Sequence, residues 1–101
     1  MKSYIIPILL IIISLALTAR AQGPSIAEKG RSVFENNCVR CHGYDGAKGK
    51  FGAKDLRRSR LNDEDLFNTI ANGKFIMPKW KKKLSAEQIS FVIAYIKTLR
   101  V

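Results

Sequence analysis

A chain of 101 residues has room for one small domain. Its 18 Lys and Arg outnumber 8 Asp and Glu, for a formal charge of +10; most of this charge must lie at the surface, where it favours an acidic partner or an anionic surface. Two cysteines and one histidine in the whole sequence cannot complete a four-ligand Cys/His zinc site without recruiting a carboxylate.

The first predicted element is a leader. Lys2 precedes an almost wholly apolar run from Tyr4 to Leu17, and Ala19-Arg20-Ala21 supplies the small residues of a cleavage site. This is the pattern of a secretory signal peptide, expected over residues 1–21 with the domain over 22–101. The run falls short of the roughly 20 apolar residues that span a bilayer comfortably, so an uncleaved anchor is the alternative. Removing 21 residues from 101 leaves 80, and with Lys2 and Arg20 gone 16 basic residues still face 8 acidic ones. A domain that small often needs a staple, a metal or a cofactor to hold its core.

A first helix is predicted from Ile26 to about Asn36, with Ser25 and Glu28 as a capping box and Ile26, Gly30, Val33 and Phe34 as its apolar stripe. It delivers Cys38, Cys41 and His42 at its C-terminal end. Residues 43–59 hold four glycines and no sustained periodicity, so they read as a long loop, of the kind that is functional or wraps around something. A second helix starts at Asn62. Acidic residues fill its first turn, Leu66, Phe67, Ile70 and Ala71 form its buried face, and Gly73 ends it. A second loop, Lys74 to Lys83, carries Met77-Pro78. The third helix has a capping box at Ser85 and Gln88, a staple of Leu84 with Ile89, and a stripe at Ile89, Val92, Ile93, Ile96 and Leu99. No strand, internal repeat or second domain is legible, and the expected class is all-α.

The stretch Cys38-Val-Arg-Cys-His42 admits three chemistries. Zinc lacks ligands. A redox dithiol, the default suspicion for a close cysteine pair in an oxidising compartment, needs a βαβ context that is absent. Covalent haem fits the geometry: on one helical turn Cys38 and Cys41 lie at i and i+3, able to add to neighbouring vinyl groups, while His42 projects its imidazole from the same side. His42 is the only histidine, which excludes a second histidine on the iron within one chain. Once Met1 leaves with the leader, Met77 is the only methionine, in a loop flanked by glycine and proline. A lone methionine is otherwise core filler, but a His42/Met77 axial pair fits this arrangement.

With these residues in view, the sequence resembles a class I cytochrome c of the short bacterial type over nearly all of residues 25–100. The likeness rests on Cys38-Val-Arg-Cys-His-Gly43, Gly30 and Phe34, Met77-Pro-Lys-Trp80, and Tyr95. It implies a small cytochrome c fold of about three helices around one haem c, with the first and last helices crossing at Gly30 and Tyr95. It also implies that the Trp80 indole N–H binds a haem propionate; ordinary core packing is the plainer reading. One departure stands out: the family usually has a proline where Lys54 stands, before the leucine matching Leu56, and the carbonyl there accepts the proximal histidine's N–H. The rigid φ of proline is lost at that place.

The implied function is one-electron outer-sphere transfer by a carrier that is not an enzyme, exported to the periplasm and monomeric. Lys74, Lys79, Lys81, Lys82 and Lys83 surround Met77 and are expected to steer acidic redox partners, a donor and an acceptor such as an oxidase or reductase; a solvated face is the bland alternative. Arg57, Arg58 and Arg60 either neutralise propionates or are solvated. Nucleic acid is a poor partner for an exported chain with few aromatics among its basic residues. Two other functions stay open: a ligand-binding or peroxidase-like protein with a labile sixth ligand, and a membrane-anchored cytochrome subunit of a larger redox complex.

Overall fold

The structure is a computed structural model that describes residues 23–101; the expected leader, 1–21, lies outside the described residues. Among the described residues four α-helices follow one another: α1 (Ile26–Asn37), α2 (Val39–His42), α3 (Asp63–Asn72) and α4 (Ala86–Thr98), with 3₁₀ turns at Lys50–Gly52, Leu56–Arg58 and Trp80–Lys82. Among the described residues there is no strand beyond an isolated bridge between Lys74 and Met77. The all-α expectation holds, with one added turn of helix.

That turn arises from a break. Cys38 closes α1 by donating its N–H to the Phe34 carbonyl at 2.8 Å, yet its φ of −109° and ψ of −24° depart from helical values. The chain re-enters helix at Val39, and the His42 N–H reaches the Cys38 carbonyl at 3.0 Å. Cys41 and His42 therefore ride on a separate one-turn helix, with Cys38 at the break before it, not on the tail of α1. Two further details of α1 differ from expectation. Ser25 Oγ accepts the Glu28 N–H at 3.2 Å, which is half of a capping box. Ile26 is 59% exposed because the helix turns only its Gly30–Phe34 face inward.

α1 packs chiefly on α4, and α3 packs on α4 and on the Trp80–Lys82 turn. Phe34, Ile89 and Val92 are fully enclosed, each stabilising the fold by about 1.5–3 kcal/mol through apolar burial. The helices touch at Gly30: a Cβ there would lie 1.9 Å from the Phe91 carbonyl oxygen and 3.0 Å from Tyr95 Cβ. The expected Gly30–Tyr95 contact is present, and the backbone of Phe91 is closer still. Tyr95 then tilts its ring against Phe34, with centroids 5.2 Å apart.

α3 and α4 begin as their sequences predict. Asn62 Oδ1 accepts the Asp65 N–H at 2.8 Å. At α4 the box is complete: the Gln88 N–H donates to Ser85 Oγ and the Ser85 N–H to Gln88 Oε1. Leu84 and Ile89 are both buried beside it, whereas Phe67 and Leu99 are half-buried.

Candidate functional site

The loop after α2 is held by its own polar contacts. Asp55 caps the Leu56–Arg58 turn by accepting the Arg57 N–H at 3.0 Å. It also takes the Arg57 guanidinium on both oxygens, at 3.1 and 3.0 Å. The result is to fix the carbonyl just before it: His42 Nδ1–H donates to the Lys54 carbonyl at 3.1 Å. A carbonyl only accepts, so Nδ1 carries the proton and Nε2 of the neutral ring keeps its lone pair. Burial lowers the His42 pKa, opposed by the bond to Lys54; the neutral form, the one that can ligate, is favoured. The bond expected from a proline carbonyl is made here by lysine.

Met77 is placed from the other side of the sequence. Gly73 ends α3 at φ 72°, where a Cβ would lie 2.5 Å from the Met77 carbonyl oxygen. The glycine thus lets a tight turn fold back on the helix end, closed by Lys74 and Met77 exchanging N–H and carbonyl at 3.3 and 2.9 Å.

Cys38, Cys41, His42, Met77 and Trp80 all line one cavity of about 600 Å³, whose walls include Phe34, Leu56, Leu66, Ile70 and Ile96. That volume lies within the range of small-molecule and cofactor sites. Two thiols, one imidazole with a free Nε2 and one thioether on an apolar wall are the donors a covalently held haem would need, and the residues fit that group. They do not fit the alternatives. Burial, then the neighbouring Cys41, pushes the Cys38 thiol up to about 12, opposite to the lowered value that activates a redox dithiol. Among the described residues no three His, Cys, Asp or Glu side chains are grouped to hold a metal ion, so zinc lacks its ligand set.

The five lysines are exposed and none forms an ion pair among the described residues. Lys81 Nζ donates to Asn72 Oδ1 at 3.1 Å, and the Lys83 ammonium stands 5.8 Å from the centre of the Trp80 ring. Trp80 is half-buried, and among the described residues its N–H has no hydrogen-bond partner. The arginine cluster divides. Arg57 is taken by Asp55, Arg60 donates to the Val101 carbonyl at 2.7 Å, and Arg58 stays largely exposed at 3.7 Å from Asp55. Sequence reasoning missed the exposed Phe51, Phe75 and Ile76, which also line the cavity; a repeated Gly-Lys-Phe is the signal that marks the two phenylalanines.

Residues 25–96 match the family model described as cytochrome c oxidase, cbb3-type, subunit III. Cytochrome c6 of Leptolyngbya boryana is 38% identical over 76 residues, covering 69% of this chain and 88% of that protein. The cbb3-type cytochrome c oxidase subunit CcoP of Azospirillum brasilense is 32% identical over 96 residues, or 84% of this chain and 32% of that protein. The subunit FixP of Bradyrhizobium diazoefficiens is 35% identical over 80 residues, or 72% and 27%. The chain thus spans about a third of the length of the oxidase subunits it matches. No solved structure is a significant match.

Proposed function

Because the chain belongs to the cytochrome c family, with haem c as its cofactor, we propose that it is an electron carrier with Cys38 and Cys41 as the covalent anchors and His42 and Met77 as the axial ligands. The observation that supports this best is the convergence of all four side chains on one apolar cavity. When bound, the haem supplies a one-electron couple. The protein's part would be to hold it: Cys38 and Cys41 would supply the covalent links, the Lys54 carbonyl fixes the ring plane and basicity of His42, and the Gly73–Met77 turn positions the Met77 thioether. A His/Met pair leaves no open position for a substrate and raises the reduction potential.

The absence of an acid–base pair supports a carrier over a peroxidase-like protein. Among the residues lining the cavity Asp55 is the one carboxylate, and it is bound to Arg57. The Trp80 N–H is available to a propionate, and Arg58 and Arg60 border the same cavity. Lys74, Lys79, Lys81, Lys82 and Lys83 steer an acidic donor or acceptor, an oxidase or reductase, to this end of the molecule. We assign residues 1–21 as an export signal to the periplasm and the remainder as a monomeric domain. Among the described residues no helix is long and apolar enough to cross a membrane.

The deciding experiment is the visible spectrum of protein matured in a haem-attaching periplasm, reduced, with and without carbon monoxide. A sharp low-spin spectrum indifferent to carbon monoxide is expected. A marked shift on adding the gas would overturn the His42/Met77 assignment in favour of an open sixth site.

A further inference from the structure

The residues after α4 reach back across the sequence to a segment that walls the cavity. The Arg100 guanidinium donates to the Leu61 carbonyl at 2.7 Å, and the Val101 N–H donates to the Arg57 carbonyl at 3.1 Å. Arg60 returns the contact, donating to the Val101 carbonyl at 2.7 Å. Lys97 adds an ion pair with Asp63 at 3.0 Å, just beyond this segment. Arg58, Ser59, Arg60 and Leu61 line the cavity, whereas Arg100 and Val101 do not. The strap thus grips the wall from its outer side, away from the space a haem would fill.

Bracing a surface loop is the plain account of such a strap, but its point of attachment says more. The Arg57 carbonyl that receives Val101 belongs to the residue whose N–H and guanidinium hold Asp55. Asp55 follows Lys54, whose carbonyl accepts from His42 Nδ1 at 3.1 Å. The same helix end packs on the start of this turn. A Cβ on Gly46 would meet Leu56 Cβ at 3.0 Å and Leu99 Cδ1 at 3.2 Å, and the Leu56 N–H donates to the Gly46 carbonyl at 2.9 Å. Leu99 and Val101 therefore hold the Leu56–Arg58 turn at its two ends. Arg100 keeps its place at a cost, because its Nε is buried with no partner among the described residues.

We propose that Arg100 is a positioning residue for His42, an assignment that rests on the carrier reading because that reading puts the imidazole on the iron. With Val101 it fixes the Leu56–Arg58 turn, and through Asp55 and the Lys54 carbonyl it holds the ring. A carbonyl in steady contact with Nδ1–H keeps the imidazole electron-rich, which favours the oxidised state of a metal on Nε2. Loosening the strap therefore raises the reduction potential. Losing the positive charge of Arg100 acts the other way, since a nearby cation disfavours the more positive, oxidised state. The two routes differ in sign.

Two measurements on the holo-protein test this. Nuclear magnetic resonance of the reduced, isotope-labelled protein reads exchange of the His42 Nδ1 proton with water, and potentiometry reads the couple. Arg100→Leu is expected to speed the exchange about tenfold, the scale of one charged hydrogen bond, and to raise the potential. Arg100→Lys, which keeps a donor and a charge, should recover most of both. Lys97→Met is the control: it removes a cation from the same helix end and breaks the pair with Asp63, which lies off the route through Arg57 and Asp55. Its exchange should stay native and its potential should not rise. Should Arg100→Leu fail to mature, Val101→Pro, which lacks the N–H given to Arg57, is read in the same way. Unchanged exchange in the strap variant overturns the assignment, and so does a potential that falls. Equal acceleration by Lys97→Met also overturns it, by reducing the strap to a brace for the whole fold. The carrier reading is judged separately, on the carbon monoxide spectrum of the native protein.

Discussion

Lys54 contributes to the site an atom that its name does not advertise. The family resemblance predicts a proline there and so leaves the hold on His42 in doubt. The bond needs a carbonyl in the right place, and Asp55 and Arg57 put it there. This was illegible in the sequence because the arginines could be read as solvated or as propionate ligands. The Arg57 guanidinium, with the Arg57 N–H and Arg58, holds the Asp55 carboxyl below its ordinary range. A carboxylate whose folded value is depressed adds stability that is complete above its unfolded value, about 3.9. That contribution is lost as pH falls from there through the folded value. Asp55→Asn should therefore lower the urea midpoint of the holo-protein at pH 7, and the gap from native should narrow as pH falls below about 3.9. An undiminished gap in acid would mean that the pair acts by shape alone.

Met77 stands out in the sequence as a candidate ligand, since it is the one methionine beyond Met1 and sits beside a proline. What could not be read was how it is aimed, which depends on Gly73 and the turn closed by Lys74. Met77→Ala should leave the haem attached, admit carbon monoxide and lower the reduction potential by on the order of 0.1 V, within the ~0.8 V span that axial ligands command. Potentiometry and the carbon monoxide difference spectrum check both halves, and an unchanged potential would remove Met77 from the iron.

At the scale of elements, the helices followed from periodicity and caps, and α4 was read almost residue by residue. The errors fell where local signals are silent. Period 3.6 places Ile26 on the stripe of α1, but the stripe is buried only as far as α4 reaches. The break at Cys38 has no proline or glycine to announce it. The contact at Gly30 is the most sensitive feature at this scale. Gly30→Ala would gain ~1 kcal/mol in helix propensity, yet its Cβ would meet the Phe91 carbonyl at 1.9 Å and force α1 off α4. Overpacking of this kind typically costs 1–3 kcal/mol. For a domain of this size a net loss of up to about 2 kcal/mol lowers Tm by up to roughly 8–16 °C, measurable by circular dichroism. A raised Tm would show that the helices can slide apart without loss.

At the scale of the molecule, nine apolar side chains among the described residues make the buried core, and a cavity of about 600 Å³ opens beside them. Its walls, Phe34, Leu66, Ile70 and Ile96 among them, are apolar surface that a bound haem would cover. The cofactor is thus part of the core, as the small domain size suggested. Replacing Cys38 and Cys41 together by Ser, which removes both attachment points, should take away about half or more of the helical signal and the cooperative melt. Circular dichroism of the variant decides this, and a native-like melt without haem would contradict it.

The pairing of α1 with α4 has a consequence for timing. Among the described residues the main helix contact joins residues 26–37 to residues 86–98, and it can form only when both segments are present, at the entropic cost of closing the chain between them. A chain emerging from its N-terminal end therefore cannot close the cavity until α4 has been delivered. Through that interval Cys38, Cys41 and His42, the residues proposed to hold the haem, stand on an open segment, and the arrival of the last helix ends it.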